Sequence, residues 1–199
     1  MKTLEKFIVK IPKRINDTKV LENGVEIYID NRFNEFEHRV TSGEVLSVPY
    51  KYKLDVKVGD TLYFHHLVVL NGGQSITGME DSYLVQYDEG NPLNSQAIAY
   101  KSKDTGDIFP LGGWSLLEYV EEKDDLTSDS ISLVNLKEKL PTKGKISFDA
   151  EWINELGVFS GDVVGFKENM DYRIDVNGKE YYRVDPSDFL YVEEEVHND

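Results

Sequence analysis

The sequence predicts an all-β protein made of two tandem small β-barrels, and three observations carry that expectation. First, one motif occurs twice. Ser42-Gly43-Glu44-Val45-Leu46-Ser47-Val48 is followed by Leu54-Asp55-Val56-Lys57-Val58-Gly59-Asp60-Thr61-Leu62-Tyr63-Phe64. A weaker copy runs Lys143-Gly144-Lys145-Ile146-Ser147-Phe148 and then Val158-Phe159-Ser160-Gly161-Asp162-Val163-Val164-Gly165-Phe166. The first glycines lie 101 residues apart and the Gly-Asp turns 102, a nearly constant offset that marks a duplicated unit. Second, the apolar runs are short, are bounded by turn residues, and never sustain a helical period. Third, Asn177-Gly178 stands between the strand-like stretches 172–176 and 180–184. That dipeptide is the strongest short-range hairpin signal.

The elements follow in order. Phe7-Ile8-Val9-Lys10-Ile11 reads as a first strand, halted by Pro12. Residues 13–41 are polar, and a connection of that length in a compact domain is functional or disordered. Its one apolar island is Asn23-Gly24-Val25-Glu26-Ile27-Tyr28-Ile29-Asp30. There Val25, Ile27 and Ile29 alternate with Glu26 and Tyr28, the pattern of a strand that forms when a partner is available. The motif strands come next, with only Pro49-Tyr50-Lys51-Tyr52-Lys53 between them. Residues 65–70 are expected to prolong the strand that reaches Phe64, Asn71-Gly72-Gly73 to turn, and 83–87 and 97–100 to add two strands.

Residues 101–113 contain Asp104-Thr105-Gly106-Asp107 and Pro110-Leu111-Gly112-Gly113, and read as the junction between domains 1–112 and 113–199. The order then repeats. Residues 114–120 match the first strand, and 121–142 match the long polar connection, with the island Ile131-Ser132-Leu133-Val134-Asn135-Leu136. After the second motif and the Asn177-Gly178 hairpin, Asp185-Pro186-Ser187-Asp188 turns the chain into a last strand, 189–192.

Composition bounds the function. There is no cysteine, so disulfides and thiolate metal sites are excluded, as suits a reducing cytoplasm. No run reaches the roughly 20 apolar residues of a spanning helix. The opening Met1-Lys2-Thr3-Leu4-Glu5-Lys6 is too charged for a secretory leader. We expect a cytoplasmic protein. A net charge of −15 opposes nucleic acid and anionic membrane as partners. The excess is uneven, at −3 over residues 1–112 and −12 over residues 113–199.

Catalytic and metal-binding patterns are missing from the sequence. His65 and His66 are adjacent on an expected strand, so their side chains should point to opposite faces and cannot share an ion. No acidic run has the spacing of a calcium loop. No nucleophile elbow, phosphate loop or dinucleotide fingerprint occurs. The expectation is a protein that is not an enzyme and needs no cofactor or metal.

The repeated layout resembles the GroES family of co-chaperonins. The match rests on Gly43-Glu44-Val45-Leu46-Ser47-Val48 with Leu54-Asp55-Val56-Lys57-Val58-Gly59-Asp60, on Ser160-Gly161-Asp162-Val163-Val164-Gly165-Phe166, and on the closing stretch from Tyr182 to Glu193. It covers most of the chain as two copies, a tandem form similar to co-chaperonin-like proteins of bacteriophages. The resemblance implies two GroES-like barrels and a homo-oligomer that caps a chaperonin ring, docking through a mobile loop after the first strand. By position the first loop is about residues 13–41, with Val25, Ile27, Tyr28 and Ile29 as chaperonin-binding residues. The second is about 121–142, with Ile131, Leu133 and Val134. The family's roof hairpin has no room here, since Pro49 to Lys53 is too short and Asp149 to Gly157 only slightly longer. The alternative is a structural or assembly protein, for example of a phage particle, that keeps the barrel but not the chaperonin contact.

Overall fold

The computed structural model describes residues 3–11, 18–20, 23–28, 39–69, 74–89, 91–120 and 142–193, with backbone alone at 18–20, 26–28 and 92. The chain divides into two compact units, Met1–Gly113 and Trp114–Asp199. The first holds β1 (Lys6–Lys10), β2 (Thr18–Val20), β3 (Glu26–Tyr28), β4 (Ser42–Ser47), β5 (Thr61–Phe64), β6 (Ser75–Ile76), β7 (Met79–Gln86), β8 (Ala97–Lys101) and β9 (Ile108–Pro110). The second holds β10 (Ser115–Tyr119), β11 (Lys143–Phe148), a single helical turn α1 (Glu151–Asn154), β12 (Val163–Phe166), β13 (Asp171–Val176), β14 (Lys179–Val184) and β15 (Phe189–Glu193).

The protein is mostly β, in two antiparallel sheets and one small hairpin. The first sheet runs β6-β7-β1-β4-β5-β8-β9 and the second β13-β14-β10-β11-β12-β15. Taken strand for strand, the two orders are the same up to β9, which has no counterpart among the described residues. Both sheets are open: among the described residues no ladder joins β6 to β9 or β13 to β15.

The likeness extends to single hydrogen bonds. The Val45 N–H donates to the Asp60 carbonyl at 2.8 Å, and the Ile146 N–H to the Asp162 carbonyl at 2.8 Å. The Gly59 N–H returns to the Val45 carbonyl at 2.8 Å, and the Gly161 N–H to the Ile146 carbonyl at 2.8 Å. Gly59 and Gly161 sit at φ +92° and +104°, where a side chain would be strained. A bulge interrupts the β1–β4 ladder between Ile8 and Val9, and the β10–β11 ladder between Leu116 and Leu117. Such matched irregularities are what a shared backbone plan produces.

Each unit has its own core. Phe7, Val9, Val45, Leu62, Phe64, Val85 and Ala97 are buried together in the first. Leu117, Ile146, Ile153, Val164, Phe166 and Val184 form the second. The hairpin of β13 and β14 turns through Asn177 at φ +57° and Gly178 at φ +81°, the conformation its sequence demands.

Three expectations are corrected. Residues 65–69 do not prolong β5, because the chain enters a 3-10 turn at His66–Val68, and residue 70 lies outside the described residues. The His65 ring Nδ1 accepts from the Leu67 N–H at 3.3 Å, a local bond that competes with a ladder. The two imidazoles therefore stack, centroids 4.6 Å apart, in place of facing opposite ways. Residues 54–60 are not strand either, since the Asp60 carboxylate holds the Lys57 N–H at 2.7 Å and turns the chain before Thr61. The units meet at Gly113–Trp114, the end of the expected junction 101–113, within which Ile108–Pro110 form β9 and pair with β8.

Candidate functional site

The long connection between β1 and β4 starts from a fixed base. Ile11 is buried, and its N–H donates to the Asp81 carbonyl at 3.0 Å. At the return, Val40 packs on the core and the Thr41 carbonyl accepts from the Phe64 N–H at 2.8 Å. Where β1 and β4 part, Lys10, Ile11, Ser42, Gly43, Glu44, Thr61 and Asp81 line a shallow hollow of about 380 Å³. The counterpart of the returning bond in the second unit runs from the Phe166 N–H to the Thr142 carbonyl at 2.9 Å.

Between those anchors β2 and β3 make a two-stranded sheet of their own. Thr18 pairs with Tyr28, Lys19 with Ile27 and Val20 with Glu26. The tip is held by the Asn23 Oδ1, which accepts from the Val25 N–H at 3.1 Å, and Gly24 takes φ +78°. Asparagine and glycine are the residues such a turn needs. Val25 stands at the tip with 51 % of its surface exposed. Of the sequence candidates, Val25, Ile27 and Tyr28 thus fall on one hairpin, Val25 at its tip and the other two in its ladder. Ile29, Ile131, Leu133 and Val134 lie outside the described residues.

At the base of the second long connection the charges are paired. The Glu118 carboxylate takes the Lys179 ammonium at 2.7 Å and the Ser147 hydroxyl at 2.5 Å. Those bonds, Lys179 first and Ser147 second, hold its carboxyl below the usual glutamate range. Beside it Lys143 meets Glu193 at 2.5 Å. Among the described residues no three His, Cys, Asp or Glu side chains are placed to hold a metal.

The structure adds an edge that sequence reasoning passed over. Among the described residues β15 ends the second sheet and pairs only with β12, and it exposes Leu190, Tyr191 and Val192. At the opposite end β13 exposes Arg173 and Asp175, charges of the kind that guard an edge strand. The available signal was the stretch Phe189-Leu190-Tyr191-Val192, four apolar residues without the alternation of a half-buried strand.

No family model matches the chain, and no curated protein matches it.

Proposed function

We propose that this chain is a co-chaperonin of the GroES type. It is a non-enzymatic protein that docks on a chaperonin ring, caps the folding chamber and modulates the ATP cycle, assisting protein folding. One observation carries the reading: the described residues of the first long connection form their own hairpin, β2–β3, and add no strand to the seven-stranded sheet. A tip built on Gly24 with Val25 exposed is a shape suited to docking.

Each sheet with its core is taken as one GroES-like barrel. Val25, Ile27, Tyr28 and Ile29 are the contact of the first loop, with Ile131, Leu133 and Val134 in the second. Two or three buried aliphatic side chains contribute only about 1.5–3 kcal/mol each before ordering is charged against them. A single loop therefore binds weakly, and several presented together bind firmly while remaining releasable. Repetition requires a homo-oligomer, and the open edge at β15 supports one. In the first unit the equivalent strand β8 carries β9 on its outer side, so a strand from a second copy is the natural complement of β15. The setting is the cytoplasm, the host's where the chain is phage-encoded.

The test is association with a purified chaperonin, with and without ATP, by co-sedimentation and ATPase rate. Nucleotide-dependent binding is expected, and Ile27→Ser with Ile29→Ser abolishes it while circular dichroism stays unchanged. Absence of nucleotide-dependent association with chaperonins from the protein's own setting would sink the reading.

A further inference from the structure

We infer that the connection between β11 and β12 carries a docking surface for a basic amphipathic segment of a partner protein. This surface is separate from the loop contact above and does not depend on it. The connection folds around α1. Ile153 points into the core with 2 % exposure, while Trp152 and Leu156, four residues apart and so on one side of the turn, are 44 % and 71 % exposed. The Leu156 N–H donates to the Ile153 carbonyl at 3.0 Å, continuing the helical turn that places the two side by side. Gly157 then reverses the chain at φ +81°, and Phe159, 51 % exposed, follows. Three large apolar side chains within eight residues stand outward, the kind of exposure that marks an interaction surface.

Charge says what covers it. From Ser147 to Phe166 there is no lysine or arginine, while Asp149, Glu151, Glu155 and Asp162 are acidic. Glu151 and Glu155 are exposed and alternate with the apolar pair along the turn. The equivalent connection of the first unit, residues 48–60, is fastened to its own unit instead. There Lys51 meets Glu5 at 2.7 Å, Lys57 meets Asp104 at 2.8 Å, and the Tyr52 ring packs edge-on against Tyr87 at 4.9 Å. The first connection also exposes Tyr50 and Val58, but sets them among Lys51, Lys53 and Lys57, whereas the second sets its outward apolar groups among carboxylates alone. A segment with leucine-like side chains on one side and lysines or arginines beside them satisfies both features. A second copy of this chain, net −15, does not.

The probe is a synthetic amphipathic helix of leucine and lysine, with the same peptide carrying glutamate for lysine as its control. Binding to the full chain is read by tryptophan emission and by titration calorimetry. The lysine peptide is expected to bind and shift emission to the blue, and the glutamate peptide is not. Glu151→Gln with Glu155→Gln should weaken binding at least fivefold. Glu44→Gln with Asp55→Asn, the same charge change in the first unit, should leave it unchanged. Leu156→Ser should weaken binding and leave the salt dependence intact. Equal loss from both charge pairs overturns the inference, because binding then reports only net charge. Equal binding of the two peptides overturns it, as does concentration-dependent self-association that Leu156→Ser abolishes.

Discussion

In the first unit β8 lies between β5 and β9 and its residues 97–100 are all buried, whereas in the second, among the described residues, β15 pairs with β12 alone and exposes Leu190, Tyr191 and Val192. The central strands of the two units agree in order, in bulge position and in the bonds of the Gly-Asp turn. The difference is confined to the outer strands and to the connections. Even the packing there is exchanged: Tyr63 on β5 faces Ala99 on β8, while Gly165 on β12 faces Tyr191 on β15. The large ring has moved to the other strand of the pair, from a residue 5 % exposed to one 51 % exposed. The two units thus share the part that fixes the fold and differ at the sheet edges and in the connections.

The most direct test of the difference is to charge the open edge. Leu190→Lys with Val192→Lys places two cations along β15 without touching the core. If β15 receives a strand of a second copy, sedimentation equilibrium will show self-association weakened by roughly tenfold or more, equivalent to about 1.4 kcal/mol. The matching change on β13, Ile174 being left alone and Asp175→Lys introduced, should leave it as it was, because that edge is already charged. An unchanged association constant for the β15 variant would remove the asymmetry that the comparison rests on.

The parts legible in sequence are those fixed by local chemistry. Gly43 and Gly144, Asp60 and Asp162, and the Asn177-Gly178 turn each act on neighbours a few residues or one strand away, so their spacing survives as a pattern. The Asn91 carboxamide and the Asp185 carboxylate cap equivalent 3-10 turns, accepting from Leu93 at 3.1 Å and Ser187 at 2.9 Å. That pair was hidden because Ser95 and Gln96 lengthen the first copy before its closing strand. β9 was read as junction because a three-residue strand exists only through its long-range ladder to β8. In the candidate site, Gly24 and Val25 announced the tip. Thr18–Val20, the partner strand, is polar and too short to signal itself.

A second test is the tolerance of the paired glycines. None of Gly43, Gly144 and Gly165 is in the left-handed region, so the constraint on each is space. A Cβ at Gly43 would stand 2.9 Å from the Lys10 carbonyl oxygen, which is backbone and cannot yield. Gly43→Ala should therefore cost about 1–3 kcal/mol by overpacking β4 against β1. At Gly144 the nearest atoms are the Leu117 Cβ at 3.0 Å and the Glu118 carbonyl oxygen at 3.1 Å, so Gly144→Ala falls at the lower end of that range. At Gly165 the obstacle is the Tyr191 ring, the far end of a side chain half exposed to solvent. Gly165→Ala should swing that ring away and cost under about 1 kcal/mol. Urea unfolding of the full chain, with amide exchange assigning the loss to a unit, ranks the three. A Gly165→Ala as damaging as Gly43→Ala would mean that the ring is held by more than β12.

The turn aspartates test the comparison in a third way. Asp60 is buried at 1 % exposure, and its carboxylate accepts from the Lys57 N–H at 2.7 Å and from the Lys103 N–H at 3.0 Å. It therefore ties the turn to the segment after β8, forty-three positions along the chain. Asp162 is only half-buried, and among the described residues its carboxylate accepts from the Phe159 N–H, at 2.9 Å. The same residue in the same turn closes two loops in one unit and a single turn in the other. Asp60→Ala leaves two amides without their acceptor, and bonds to a charged group are worth about 1.5–3 kcal/mol each when one partner is removed. Water reaches the exposed Lys57 and Lys103 and recovers part of that, so a loss of about 2–3 kcal/mol is expected. Asp162→Ala should lose about 1 kcal/mol. Asn at either position keeps an oxygen acceptor and should recover roughly half of each loss. Amide exchange at residue 103 separates the cases: it should quicken in Asp60→Ala and stay fixed in Asp162→Ala. Equal losses in the two units would show that the bond to the segment after β8 adds nothing, and that the two turns are energetically one motif.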